Sequence, residues 1–362
     1  MAGDVAPFGA GRFRVEVRGH FKEMVKMIPY RNLQMTFFLG SQGATLTMDV
    51  SFRKLGLTFA NFYPGKHEIW VWDAKVPSFP IFAGPITQLS ANSTNGTISV
   101  NASDPLWYLS RRVLFSQVFY SGKPEAAMQD LLSKANTASP TGIVGHIDQN
   151  GTQNIAAMFG QGEVNDFATY FGQLQTMGDG IDYYIRNDGS GGSNDRWLHM
   201  WGGKKGSTPG NLPLGLNYPS EVLPAYSLQL IATGIANVVI VVGQGSVASF
   251  GTAYNSSKIT EYNYKYDLAT DSNQNSTSTL NQQAAQVLKQ VQSTQQVPSI
   301  TIRSEYYNPF VDFDLGDKFH VRIDDDYVQI DQVIRCIGFQ MTVDPNDDIV
   351  TNIYTNSTEA VT

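Results

Sequence analysis

Leu315-Gly-Asp-Lys-Phe-His-Val-Arg-Ile-Asp-Asp-Asp-Tyr-Val-Gln-Ile-Asp-Gln-Val-Ile-Arg-Cys-Ile-Gly-Phe-Gln-Met-Thr-Val343 is the stretch whose reading decides the fold. Phe319, Val321 and Ile323 alternate with Lys318, His320 and Arg322, the period-two signature of a strand with one buried face. Asp324, Asp325 and Asp326 break the run. Val328, Ile330, Val333, Ile337, Phe339, Met341 and Val343 resume it on a return limb, which ends in turn chemistry at Asp344-Pro345-Asn346. The aspartate run also keeps a hairpin tip solvated and unpaired.

The passage Pro64 to Asn92 repeats this design. Gly65 falls on Gly316, Trp70 on Val321, Trp72 on Ile323 and Asp73 on Asp324. Gly84 falls near Gly338 if the hairpin loops differ by three residues. Such an insertion is thermodynamically cheap, because loop-closure entropy grows with the logarithm of length. One Gly-strand-turn-strand unit is therefore expected twice, the competing reading being that any two twisted hairpins look this alike. Gly65, Trp70, Trp72, Gly316, Val321, Ile323, Asp324, Asp325 and Asp326 become the candidate residues for barrel hairpins and for contacts between copies of the chain.

At 362 residues the chain is long enough for two or three domains with real cores. Hydrophobic residues at 42% and charged residues at 16% exclude global disorder. A net charge of −7 argues against a protein whose main work is gripping nucleic acid through phosphates. The single cysteine, Cys336, lies inside a strand pattern and reads as a small buried hydrophobe, leaving no disulfide and no cysteine-based metal cluster. No signal peptide or membrane-spanning segment is legible, so the Asn-x-Ser/Thr triplets, Asn92 and Asn150 among them, read as composition rather than glycosylation sites.

Along the chain, alternation predicts strands near Arg12 to His20, Leu33 to Leu39, Thr45 to Phe52, Ile69 to Trp72, Phe79 to Leu89 and Thr97 to Val100. This spacing fits a small antiparallel barrel or sandwich over 1–112. A middle α+β domain, 113–228, carries a helix from Pro124 to Ala135 and another from Asp166 to Leu174 that Asn165 can cap. It also carries a hairpin tip at Asn187 to Asn194 and a Gly/Pro-rich connection from Gly202 to Pro219. The second barrel, 229–362, includes a strand pair over Thr252 to Tyr266 and a Gln-rich helix near 279–293. The expected fold class is mainly β: two similar small antiparallel β-barrel domains plus a helix-containing middle.

Signals for chemistry are weak. Gly243-Gln-Gly245-Ser-Val-Ala248 satisfies G-x-G-x-x-A after an apolar strand, with Glu261 further on, but no helical periodicity follows to hold a pyrophosphate. The histidines His20, His67, His146, His199 and His320 stand singly, without zinc-ligand spacing. No G-x-S-x-G elbow is present, so nucleophilic catalysis has no candidate, whereas spatially paired carboxylates are not legible from sequence. Asp312, Asp314 and Asp317 could cluster around calcium, although turn and hairpin roles explain them more simply. Trp197 and Trp201 offer stacking surfaces for a sugar, and core packing explains them equally well. No catalytic residue, cofactor or metal is assigned.

Four passages together resemble the minor tail proteins of siphophages, specifically the baseplate-hub type of actinobacterial phages. They are Phe82-Ala-Gly84-Pro-Ile86, Asn101-Ala-Ser-Asp104-Pro-Leu-Trp-Tyr-Leu-Ser-Arg111-Arg112, Ile235-Ala-Asn237-Val-Val-Ile-Val-Val-Gly243 and Leu315-Gly316-Asp317. The resemblance implies a non-enzymatic virion protein made in the host cytoplasm and placed at the tail tip. It implies a homotrimeric hub whose two barrels per chain match a sixfold tube to a threefold tip and form part of the genome-ejection channel. Implied partners are other copies of itself, a distal tail or tail tube protein, the tape measure protein and other minor tail or receptor-binding proteins. DNA would pass without specific binding, which suits an acidic conduit. Rival readings are a hexameric distal-tail ring protein with one barrel per subunit and a tail-associated enzyme that cuts cell wall.

Overall fold

The computed structural model describes residues 11–19, 23–51, 59–92, 96–138, 140–160, 165–187, 196–206, 216–231, 235–243, 249–272, 274, 276–292, 295–303, 305–326, 328–343 and 349–356. Its frame is one curled sheet of 13 strands, antiparallel except at one short edge pairing, built from both ends of the chain.

The N-terminal half contributes β1 (Phe13–Gly19), β2 (Met24–Met27), β3 (Arg31–Phe38), β4 (Ala44–Ser51), β5 (His67–Asp73), β6 (Phe82–Asn92) and β7 (Thr97–Ser103), in the order β3-β4-β7-β6-β5-β1-β2. Alternation sends Val15, Val17, Leu33, Met35, Leu46 and Met48 inward, all buried. The β3–β4 hairpin turns on Gly40 and Gly43, at φ +80° and +60°, where a side chain would be strained. β2 leaves no signal in the sequence, because four residues are too few to show a period.

A middle unit follows: α1 (Leu106–Leu109), β8 (Val118–Gly122), α2 (Pro124–Ala138), β9 (Ile143–Gln149), β10 (Ile155–Phe159), α3 (Phe167–Leu174), β11 (Ile181–Arg186) and β12 (Arg196–Gly202). It has its own apolar core around Met128, Leu131, Tyr170, Phe171 and Leu198. Asp166, rather than Asn165, caps α3, its carboxylate accepting from the Thr169 N–H at 2.8 Å.

The C-terminal half opens with β13 (Leu216–Tyr218) and β14 (Ala225–Ile231). A small inserted unit then forms from β15 (Val238–Gly243), β16 (Phe250–Tyr254), α4 (Ser256–Tyr262), β17 (Asp267–Ser272) and α5 (Thr277–Val291), packed on Val239, Val241, Leu280 and Ala284. Only the first part of the expected Thr252 to Tyr266 strand pair is strand. Asn255 accepts from the Lys258 N–H and starts α4 instead. The Gln-rich α5 covers this small sheet, and a Cβ at Gly251 would collide with the Leu280 backbone, so the glycine sets the helix-to-sheet distance. Gln274 ties the insertion to the middle unit by accepting from the Met158 N–H at 2.7 Å and donating to the Met158 carbonyl at 3.0 Å, as a neighbouring strand would.

The frame resumes with β18 (Gln295–Arg303), β19 (Lys318–Asp324), β20 (Gln329–Val343) and β21 (Ile349–Asn356), in the order β14-β18-β21-β20-β19-β13. The repeat seen in the sequence is present in the backbone. The first stretch of β6 pairs with β5 and its remainder with β7; likewise β20 pairs first with β19 and then with β21. The Gly65 N–H donates to the Ile86 carbonyl at 2.9 Å and the Gly316 N–H to the Cys336 carbonyl at 2.7 Å. Both glycines have positive φ, +73° and +89°, and a register shift follows each acceptor, between Ile86 and Gln88 and between Cys336 and Gly338.

The repeat in the structure differs from the repeat in the sequence at two points. Ile86 corresponds to Cys336, so Gly338 matches Gln88 and not Gly84. Within the strands, Ile69 and Val71 match Phe319 and Val321 on the core face, whereas Trp70 and Trp72 match His320 and Arg322 on the outer face. One fewer residue separates Gly316 from its strand, and a slip of one residue exchanges the two faces.

Residues 338–342 of β20 pair with β3, so the halves form one sheet over one core that includes Val17, Leu33, Phe37, Val321, Phe339 and Ile353. The chain is therefore mainly β, with two similar curled antiparallel halves and a helix-containing middle, the class expected from the sequence.

Candidate assembly surfaces

Of the residues singled out in the sequence, Trp70, Val321 and Ile323 are buried within their own chain, and Trp72 is half-buried. Gly65 and Gly316 form the turns that lead into β5 and β19. Asp324 and Asp326 are exposed at the β19–β20 tip, where Asp325 accepts from the Val328 N–H and from the Tyr226 hydroxyl. The structure thus brings these residues together in two equivalent hairpins, not in one cluster.

Two polar clamps with no signal in the sequence hold the middle unit to the frame. In the first, Glu68 on β5 is fully buried and Arg196 on β12 nearly so, with both carboxylate oxygens 2.5 Å from Nη2. Tyr108 donates to Glu68 at 2.7 Å and the Trp70 indole at 3.0 Å, so the buried charge is surrounded by donors. In the second, Asp314 accepts from Arg186 at 2.8 Å, Lys205 at 2.8 Å and the Tyr184 hydroxyl at 2.9 Å. Burial alone would raise the Asp314 carboxyl, but the two cations outweigh it and hold it down at about 2. Asp182 pairs with Arg335 beside this cluster, and burial raises its carboxyl despite that partner. No local pattern signals such pairs, because their members lie more than 100 residues apart.

Asp104, at the exit from β7, accepts from the N–H groups of Ala44 and Leu106, and burial pushes its carboxyl up to about 7. The three carboxylates weighed as calcium ligands have other tasks. Asp314 faces cations, Asp317 accepts from the Asp314 N–H, and Asp312 accepts from the Asn308 N–H. Among the described residues, no group of three or more His, Cys, Asp or Glu side chains converges as a metal site would. Gly243 ends β15 with its N–H donated to the Ser249 carbonyl, and the next described element is a strand, not the helix a pyrophosphate needs. Gly245 and Ala248 lie outside the described residues. Trp201 is stacked on Tyr184 and His199, with centroids 5.2 Å and 5.8 Å away, and Trp197 stands edge-on to His146. Cys336 is buried, which raises its thiol pKa and leaves it a core residue.

Exposed strand edges are the features of the frame suited to assembly. β14 has a partner only on its β18 side, and the stretch of β6 that pairs with β7 has none on its other side, among the described residues. On the inserted unit Phe250, Tyr254 and Tyr264 are exposed. No helix among the described residues is long and apolar enough to cross a membrane.

No protein-family model matches the sequence, and no curated protein matches it at the sequence level. Solved structures do. A tail protein from Neisseria meningitidis superposes with a TM-score of 0.62 at 12% identity, covering 96% of this chain and 97% of that one. A prophage tail protein from Shewanella oneidensis gives 0.63 at 11% identity over 96% and 99%. A prophage tail protein from Listeria monocytogenes gives 0.56 at 10% identity over 96% and 95%. The likeness is one of fold, and it extends over nearly the whole of each chain.

Proposed function

We propose that this chain is a structural protein of a phage tail, the homotrimeric hub of the tail tip. Three copies present six equivalent sheet halves to a sixfold tube and a threefold face to the tip, and the ring encloses part of the genome-ejection channel. One observation carries this reading: the chain contains the same strand-turn-strand unit twice, with matching glycine turns and matching bulges. The fold shared with phage tail proteins over nearly the whole chain supports it.

The neighbours in the virion are a distal tail or tail tube protein above, tape measure protein within, and minor tail or receptor-binding proteins below. DNA passes without specific binding, in keeping with the net charge of −7. The chain is not an enzyme in this reading. The carboxylates of Glu68, Asp182 and Asp314 are matched to cations that join units, which is a structural use of charge. A distal-tail ring built from one half per subunit is disfavoured by the two halves here.

Mass measurement on the purified full chain tests the proposal. Three copies per particle are expected, whereas six copies, or a monomer at every concentration, would overturn it. Degradation of purified cell wall by the same preparation would restore the enzymatic alternative.

A further inference from the structure

The junction between the two halves has an unfilled counterpart. Inside the chain, β3 lies antiparallel along β20, with Phe37 opposite Phe339, Met35 opposite Met341 and Gln34 opposite Thr342. The repeat maps the strand series β3-β4-β7-β6 onto β14-β18-β21-β20. The strand registers fix the mapping to the residue. Gln34, Thr47, Asn101 and Gln88 form one cross-sheet row, and Ser227, Ser299, Tyr354 and Gly338 form the equivalent row. Hence Ser227 stands where Gln34 does, Leu228 where Met35 does, Ala91 where Met341 does and Asn92 where Thr342 does.

Burial changes in step with this mapping. Phe339 and Met341 are fully buried under β3, but their counterparts Leu89 and Ala91 are half-buried and exposed. Met35 is buried against β20, and its counterpart Leu228 is only half-buried. The same two edges that meet within the chain are thus present a second time without each other. Leu228 also sits opposite Pro298, which has no N–H to donate, the arrangement of a pair without mutual hydrogen bonds. The N–H and C=O of Leu228 therefore point away from β18, towards the open edge.

We infer that β14 of one copy adds to the open edge of β6 in the next copy, antiparallel, with Leu228 opposite Ala91 and Ser227 opposite Asn92. The occupant is a second copy because the complementary edge lies on the same chain, seven strands away from its own β14 in the sheet order and not paired with it. The contact is head-to-tail, so it closes into a ring or grows without limit. Alternation of internal and intermolecular junctions makes three chains a ring of six halves. The inference rests on the proposed trimer for the number of copies, but not for the register.

The test is disulfide trapping in the full chain. Within the chain, the Leu39 N–H donates to the Ile337 carbonyl at 3.0 Å, which places Gln34 and Thr342 in a narrow pair. Ser227 and Asn92 inherit that narrow spacing, close to what a disulfide needs. Oxidation of the S227C/N92C variant should give reducible two- and three-chain bands at least tenfold above either single variant. The off-register S227C/S90C variant should give none above background. Leu228→Pro, which removes the outward donor, should abolish both trapping and association while the far-UV spectrum stays unchanged. A purified trimer that does not trap at this pair, or trapping unaffected by L228P, overturns the junction and leaves the trimer standing. Trapping in an oligomer of another size supports the junction and overturns the trimer, and a monomer that never traps overturns both.

Discussion

β5 and β19 share a backbone and differ in what covers them. In β5, His-Glu-Ile-Trp-Val-Trp-Asp, both faces are enclosed: Ile69 and Val71 enter the common core, Glu68 meets Arg196 and Tyr108 of the middle unit, and the buried Trp70 lies beneath the Arg18 guanidinium. In β19, Lys-Phe-His-Val-Arg-Ile-Asp, the equivalent outer face carries His320 and Arg322 in solvent. One fold unit has thus been used once as an interior wall and once as an exterior one. Side chains have followed the surroundings while glycines and bulges kept the backbone.

The comparison breaks most severely at the clamp over β5. Arg196→Ala would leave Glu68 buried without its cation and should cost about 3–5 kcal/mol in chemical denaturation. Replacing Glu68 by Gln in the same chain should recover part of that loss. The turns give the next effect. Gly316→Ala should cost about 2 kcal/mol and Gly65→Ala about 1 kcal/mol, because both have positive φ. Only at Gly316 would the new Cβ also press on the Lys205 carbonyl, 2.9 Å away, whereas the nearest atom at Gly65 is 3.8 Å away. Equal losses would mean that the two turns are held alike.

A smaller difference should appear in acid. Asp314 is held at about 2, below its ordinary value of 3.8, so its contribution to stability is present above pH 4 and is lost as pH falls towards 2. Asp314→Asn should flatten this arm of the unfolding curve while lowering stability at pH 7. The smallest effect belongs to the outer face of β19. His320→Ala should change stability by about 0.5 kcal/mol or less, while Trp70→Ala at the matching place in β5 should cost about 3 kcal/mol or more. Similar values for the pair would show that the outer face of β5 is no better sealed than that of β19.

The strands of both halves were legible where burial is one-sided, as at Phe319, Val321 and Ile323, because alternation then reports the pleat directly. Where both faces are covered the phase is lost. Ile69-Trp70-Val71-Trp72 is apolar throughout, and aligning it from the glycine put Trp70 on the wrong face. The β3–β20 joint left no trace, since edge pairing between strands 300 residues apart uses backbone groups that every residue has. The clamps were hidden for a related reason: Glu68, Arg196 and Asp314 are ordinary charged residues until the fold brings them into register. Gly65 and Gly316 lie in turns of positive φ, and the open edges of β6 and β14 are visible only in the strand pairing, not in the residue pattern.

Ile231 and Gln295 stand directly opposite one another where β14 and β18 end, so the inserted unit leaves and rejoins the frame across a single rung. A graft point of this kind tolerates exchange. A descendant could enlarge, trim or replace the cassette, and with it the exposed Phe250, Tyr254 and Tyr264, without redrawing a single strand of the frame. Variation there would change an exposed surface while the frame remained as it was.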